Sequence, residues 1–272
     1  GVGGLILNSR SAPDEAWLAH LKTRCHVAWV RGDVAERATT DALVAQAREL
    51  GLNLAGVFHA AGVLDDALIR NATTDRVRSV LAPKVAGALN LDAATAHLDL
   101  DHFVLFSSTA AWLAGPGQAA YAIANAALGT LAERRRRSGR AALCIDWGAW
   151  GGEGMMERLS TRERQALEAA GLAFLSPDAA LDTLERLMRE GPHRAAVAEV
   201  RWDVIRSATQ RRPVPLLRHL LTVPAGANRQ DAQPPRPLAE VPAEQRLEHA
   251  LEFVSSALAA VLGQRNRALG PD

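Results

Sequence analysis

Short apolar runs, each closed by a polar cluster, recur along the first half of this chain. Leu5–Leu7 ends at Asn8-Ser9-Arg10-Ser11, and His26–Val30 closes on Arg31-Gly32-Asp33. Leu54–Phe58 is followed by His59-Ala60-Ala61-Gly62, Phe103–Phe106 by Ser107-Ser108, and Ala142–Ile145 by Asp146-Trp147. Runs of this length bounded by polar residues predict buried strands. Between them the apolar spacing turns helical: over Ala16–Leu21, over Thr40–Leu50 with Leu43, Val44, Ala47 and Leu50 on one side, and over Thr74–Ala94. Pro83 kinks or interrupts the last of these. Strands alternating with helices predict βαβ units and a mostly parallel sheet, a Rossmann-like doubly wound α/β fold. In such sheets ligands bind beyond the carboxyl ends of the strands, where every one of these polar clusters falls.

The second half is patterned differently. Gly151–Met156 is expected to be a mobile loop, Thr161–Ala170 and Ala179–Glu190 amphipathic helices, and Ala195–Val200 a last strand. Pro213–Pro235 is rich in proline, glutamine and asparagine and has the composition of a linker. From Pro242 to Leu262 a helical pattern restarts, with Leu247, Leu251, Val254, Leu258 and Val261 at three- and four-residue steps. One helix after a linker cannot bury its own face, so it is a capping helix or the first piece of another domain. At the other end, Gly1-Val2-Gly3-Gly4 runs straight into the first strand. The sequence is therefore expected to begin partway through a domain.

Composition narrows the function. A length of 272 residues accommodates one large α/β domain and something smaller. The formal net charge of +1 excludes the concentrated basic surface that nucleic acid or an anionic membrane requires. No apolar stretch is long enough to span a bilayer and no signal-peptide pattern opens the sequence, so a cytoplasmic location is expected. Cys25 and Cys144 sit inside apolar runs as small buried hydrophobes, and the histidines lack metal-ligand spacing. Arg134–Arg137 are expected to form a solvated helix end complementing the dipole.

The chemistry concentrates in Phe103–Ala127, FVLFSSTAAWLAGPGQAAYAIANAA. A strand end with Ser107 and Ser108 leads through a Gly-Pro-Gly loop to a helix carrying Tyr121 and Asn125 on one face. Tyr121 is the single tyrosine of the chain. A phenol with a pKa near ~10 serves acid–base chemistry at neutral pH only if a cation assists it. Lys84, on the preceding helix, is the candidate cation, with Ser108 hydrogen-bonding a substrate oxygen and Asn125 orienting water or backbone. A buried tyrosine above two capping serines is the alternative. On the cofactor side, Gly1, Gly3 and Gly4 do not form a dinucleotide fingerprint, since Ile6 stands where its third glycine would fall. Arg10, at the first strand's end, has the chemistry to pair with a 2′-phosphate or simply to be a surface arginine.

The segments HAAGVLDD, APKVAGALNL, LFSSTAAWLAGPGQAAYAIANAAL and CIDWGAWGGEGM together resemble the ketoreductase domain of modular type I polyketide synthases, within the short-chain dehydrogenase/reductase superfamily. The resemblance runs from about Leu5 to about Leu221. It implies domains at 1–221 (ketoreductase, without its glycine-rich first βα turn), 222–240 (linker) and 241–272 (start of an acyl carrier domain, ending before any phosphopantetheine serine). It makes Tyr121 the proton donor, Ser108 the carbonyl holder, and Lys84 and Asn125 the Lys/Asn pair, exchanged relative to the superfamily's Tyr-x-x-x-Lys. It makes Ser9 and Arg10 contacts to the NADPH 2′-phosphate, puts Asp33 and Val34 by the adenine, and lays Ala60, Ala61, Gly62 and Ser107 along the cofactor.

The implied reaction is NADPH-dependent reduction of a β-ketoacyl thioester carried on the phosphopantetheine arm of an acyl carrier protein, beside other synthase domains. Leu64-Asp65-Asp66 resembles the marker of B-type reductases, and Leu113 stands where A-type members tend to carry tryptophan. Trp147 and Met155 complete the residues expected on the substrate side. A catalytically inactive segment that docks a carrier domain is the rival reading.

Overall fold

The computed structural model describes residues 3–51, 53–152, 161–211, 214–218, 220, 221, 242 and 246. The chain divides into two compact units, Gly1–Val214 and Pro215–Asp272. In the second unit the described part is a short 3-10 turn, Pro215–Leu217. The expected linker at 222–240 and all but two residues of the expected helix at 242–262 lie outside the described residues. So does the 153–156 part of the expected loop, Met155 included.

In the first unit the predicted alternation is present. Strand β1 (Gly4–Ser9), helix α1 (Glu15–Lys22), β2 (His26–Arg31) and α2 (Arg37–Glu49) lead to β3 (Gly56–His59). Helix α3 (Thr74–Leu81) passes through a π-helical turn, Ala82–Ala86, into α4 (Gly87–Ala94). Then come β4 (His102–Ser108), α5 (Ala110–Leu113), α6 (Ala119–Arg137) and β5 (Leu143–Trp147). After α7 (Thr161–Ala169) the chain adds β6 (Leu172–Ala173), α8 (Pro177–Glu190), β7 (Arg194–Val197), β8 (Glu199–Val200) and α9 (Trp202–Arg211).

Strands β3, β4, β5 and β7 form one parallel sheet in that order, and β1 pairs in parallel with β2 in a second. Parallel strands are covered on both faces and so need apolar residues at successive positions. On β4, Phe103 and Leu105 face a cluster with Ala88 and Leu91 of α4 and Leu128 of α6. Val104, pointing the other way, joins Ile145 and the α8 residues Ala180 and Leu187. The fold is Rossmann-like, with helices on both faces.

Three sequence expectations sharpen or change. Pro83 marks a break in the α-helix, as expected, without ending the helical run. It sits in the π turn, where Gly87 N–H reaches back five residues to the Ala82 carbonyl. Ala195–Val200 is not one strand: Arg194–Val197 extends the parallel sheet along β5, while Glu199–Val200 pairs antiparallel with β6. The change comes where the Gly148 N–H bonds the Val197 carbonyl at 2.7 Å, past the end of β5. There Ala198 packs so tightly that a Cβ on Gly148 would lie 2.9 Å from its own.

The third change concerns Arg134–Arg137, which is not uniformly solvated. Arg135 is 1% exposed. Its guanidinium carbon lies 3.8 Å from the Phe103 ring centroid, Nη1 donates to Asp92 Oδ1 at 2.5 Å, and Nε to the Ala141 carbonyl at 2.9 Å. Arg134 and Arg140 donate to the same carboxylate at 2.7 and 2.9 Å. Burial opposes ionisation of Asp92, but these guanidiniums outweigh it and hold its carboxyl below the ordinary 3.8. Its depressed folded value means this contribution to stability is complete above 3.8 and is lost as the pH falls through the folded value. Asp92→Asn is expected to cost about 3 kcal/mol, since it strands a buried guanidinium. Urea unfolding at neutral pH measures that loss, and titration below pH 3.8 should show a weaker acid dependence in the variant than in the wild type.

Candidate active site

The strand ends place the site. Beyond the carboxyl end of β3 the chain runs through Ala60, Ala61 and Gly62 without regular structure. Ser107 and Ser108 are the last residues of β4, paired with Asp146 and Trp147 of β5, so they lie within the ladder rather than after it. Ser107 Oγ donates 3.1 Å to the Asn125 carbonyl, fastening α6 to β4. Ser108 Oγ accepts from the Ala110 N–H at 3.2 Å, and the same side chain hydrogen-bonds the Tyr121 phenol.

Lys84 enters from the π turn and is 5% exposed. One of its N–H groups donates to the Phe106 carbonyl at 3.0 Å, and Nζ lies 5.8 Å from the Tyr121 ring centroid. Burial lowers its pKa to about 8. Gly62 closes over the same side chain: a Cβ there would meet Lys84 Cε at 3.2 Å and Nζ at 3.4 Å. His59, at the end of β3, faces the Lys84 carbonyl with Nε2 at 3.0 Å. A carbonyl only accepts, so Nε2 carries the proton, and burial lowers the ring's pKa to about 4. A neutral histidine therefore buttresses the turn that holds the lysine, where the sequence shows only a histidine after a strand.

Tyr121 stands in the first turn of α6. Burial raises its pKa, hydrogen bonding with the side chains of Ser108 and Asn125 counters this, and the nearby Asp66 charge adds to the rise. Asn125 is fully buried; its Nδ2 donates to the Tyr121 carbonyl at 2.8 Å, while Oδ1 has no protein partner. An orphaned buried acceptor beside a phenol is a place for a water or a ligand hydroxyl to donate.

Of the other residues singled out from the sequence, only some lie near this centre. Asp65 and Asp66 are tied to Arg76 of α3, and Asp66 Oδ2 also accepts from Gln118 Nε2 at 3.3 Å. Leu64 is 38% exposed and Leu113 ends α5. Trp147 is 4% exposed, packed edge-on to Trp150 at 5.0 Å and against Phe106 at 5.8 Å, on the α8 side of the sheet. On the other sheet Ser9 is committed internally, donating to the Ser11 carbonyl at 2.6 Å and accepting from Trp29 Nε1 at 2.9 Å. The exposed Arg10 is thus the donor that remains at this strand end. Asp33 Oδ1 accepts from the Ala35 N–H at 2.9 Å, and Val34 is buried against the position of Gly87. Among the described residues no cluster of His, Cys, Asp and Glu has metal-binding geometry, and no helix is long and apolar enough to cross a membrane. Both cysteines are free.

Known proteins resemble this chain in sequence and in fold. The KR domain family profile matches residues 1–152. A phenolphthiocerol/phthiocerol polyketide synthase of Mycobacterium tuberculosis is 39% identical over 206 residues, 75% of this chain and 11% of that protein. Polyketide synthase GfsA of Streptomyces halstedii is 36% identical over 276 residues, 97% of this chain and 4% of that protein. Among solved structures, the first ketoreductase of the tylosin polyketide synthase matches with a TM-score of 0.69 at 40% identity, over 82% of this chain and 50% of that one. An A-type ketoreductase from a modular polyketide synthase matches with a TM-score of 0.72 at 36% identity, over 79% and 46%. The chain thus spans about a tenth or less of these synthases and half or less of these solved chains. Matched by that profile over more than half of its length, and by synthases and solved ketoreductases at least 36% identical to it, the chain belongs to the KR domain family, the ketoreductase domains of polyketide synthases.

Proposed function

We propose that this chain reduces the β-keto group of a β-ketoacyl thioester to a hydroxyl, using NADPH, with Tyr121 as proton donor. The observation that carries the reading is the approach of a buried Lys84 ammonium to the chain's single tyrosine at the carboxyl ends of a parallel sheet. Burial alone makes the phenol a worse acid. The positive charge of Lys84 offsets that as negative charge develops on the phenolate. Lys84 itself is held by the Phe106 carbonyl, His59 beneath its turn and Gly62 over its tip.

The residues present fit the two ends of a dinucleotide. Arg10 supplies an exposed guanidinium for a 2′-phosphate, Asp33 and Val34 border the adenine, and Ala60, Ala61 and Gly62 with Ser107 offer small side chains where the nicotinamide end would lie. The unsatisfied Asn125 Oδ1 supports the fit, because ribose hydroxyls and water are the donors it lacks. When bound, NADPH supplies the hydride. Ser108 turns its hydroxyl proton to the ketone oxygen and fixes that oxygen beside Tyr121. Tyr121 then delivers its proton to the same oxygen as the carbonyl carbon becomes tetrahedral, and Lys84 stabilises the phenolate left behind.

The acyl chain arrives on the phosphopantetheine arm of an acyl carrier protein, within a polypeptide that also holds neighbouring synthase domains. In this reading residues 1–221 form the reductase and 241–272 begin a carrier domain. Leu64-Asp65-Asp66, with Leu113 in place of tryptophan, favours B-type stereochemistry.

NADPH consumption on a β-ketoacyl thioester by the full-length polypeptide tests the reaction. Tyr121→Phe is expected to lower turnover by on the order of 100-fold or more. Undiminished turnover in that variant overturns the mechanism, and no consumption by the wild type favours the docking reading. Lys84 must be charged to act, so the wild-type rate should hold steady below about pH 8 and fall above it as the ammonium deprotonates. A rate that keeps rising through pH 9–10, roughly two units further, would contradict the lysine's role. Chiral analysis of the product checks the stereochemistry: the B-type configuration is expected, and the opposite one sinks that assignment.

A further inference from the structure

The loop that leaves β3 has no ladder to hold it: residues 60–68 have no regular secondary structure. It nevertheless borders the site at both ends. At its start Gly62 lies against the Lys84 tip, and at its end the Ala67 N–H donates to the Gly117 carbonyl at 2.9 Å, just before α6. Between them Asp66 is near enough to act electrostatically on the Tyr121 phenol. The loop therefore forms a wall along the line from Lys84 to Tyr121.

What fixes the middle of that wall is Arg76. Its Nε donates to Asp65 Oδ1 at 3.0 Å, Nη2 pairs with the same carboxylate oxygen, and Nη2 also donates to the Asp66 carbonyl at 3.1 Å. One guanidinium thus spans both aspartates, gripping a side chain and a backbone carbonyl. Arg76 belongs to the first turn of α3, where the Thr73 cap accepts its N–H at 3.3 Å. A cation in the first turn works against the helix dipole, so its place there is not explained by the helix. The remaining ties between loop and α6 are the Asp66–Gln118 contact at 3.3 Å and the Ala67–Gly117 bond.

We propose that Arg76 is a positioning residue for stereochemistry: by clamping Asp65 and Asp66 it fixes the wall that decides which face of the ketone is presented at Tyr121. The inference rests on the reductase reading given above. A prochiral ketone held by its oxygen can still rotate about that hold, and only a fixed wall makes one orientation of its two arms cheaper. A rigid fork suits this better than a lysine, whose single ammonium cannot span the carboxylate and the carbonyl in one plane.

The test uses the full-length polypeptide and a β-ketoacyl thioester, with chiral separation of the product and separate kcat and KM. Arg76→Met is expected to raise the share of the minor hydroxyl configuration about fivefold, the scale of a partly exposed ion pair. Arg76→Lys should fall between the two, and Asp65→Asn, which removes the same pair from the other side, should match Arg76→Met. Combining Arg76→Met with Asp65→Asn should add nothing further to the minor share, since both delete one contact. A general loss of stability would lower turnover and leave the ratio of configurations where it was. Reduction with an unchanged ratio in Arg76→Met, or in Asp65→Asn if Arg76→Met does not fold, overturns the clamp while the reductase reading stands. Absence of reduction by the wild type overturns that reading and the clamp with it.

Discussion

A lysine ammonium taken out of water is the constraint around which this site is built. Lys84 is almost fully buried, and burial brings its pKa down to about 8. Among the described residues no carboxylate accepts a hydrogen bond from it; its protein acceptor is the Phe106 carbonyl, a neutral group. The choice of acceptor matters. A carboxylate partner would hold the charge tightly and screen it from the phenol, whereas a carbonyl leaves most of the field directed at Tyr121. The requirement then spreads outward. The lysine has to come from a turn that is itself fixed, and the π turn with His59 beneath the Lys84 carbonyl meets this. A residue with no side chain has to sit over its tip, and Gly62 does.

Among the described residues the other deeply buried cation is treated in the opposite way. Arg135 has a carboxylate, a carbonyl and an aromatic face, and its partner Asp92 is shared with two further arginines. This is charge neutralised for structure: it joins α4 to the end of α6 and the entry to β5. Arg194 does similar work with Asp146 between β7 and β5, at 2.7 Å. The contrast between fully paired arginines and an under-paired lysine separates framework from chemistry more sharply than burial does, since Arg135 is more buried than Lys84.

The sheet was legible in the sequence because parallel strands are apolar on both faces, so Phe103–Phe106 and Ala142–Ile145 stand out as unbroken runs. The long helices were legible from their spacing. Lys84, Ser108, Tyr121 and Asn125 could be singled out because they lie at strand ends or on one helix face. Local pattern does not carry pairing across the fold. Nothing in Ala195–Val200 says that it pairs with two different sheets. Four consecutive arginines look solvated until Asp92, more than forty residues earlier, is brought beneath one of them. The π turn was visible only as a proline in a helical stretch, and His59 only as a histidine after a strand. Arg76 drew no notice, because an arginine three residues after a threonine cap has no periodic signature.

These missed residues share a property. Each acts on a neighbour that is itself close to the site, so its role exists only once two distant segments meet. His59 sets the backbone from which Lys84 reaches, and Arg76 sets the loop that faces Tyr121. The residues that touch substrate need particular functional groups at strand ends and are conspicuous for it. Those that aim them need only a donor at the right distance, which many residue types supply. Positional precision in the site therefore depends on side chains whose chemistry is ordinary. In the proposed reductase, then, the catalytic groups can all be present while the outcome of the reaction is decided by contacts outside them. In this fold those contacts run through one neutral imidazole beneath the lysine and one guanidinium behind the loop.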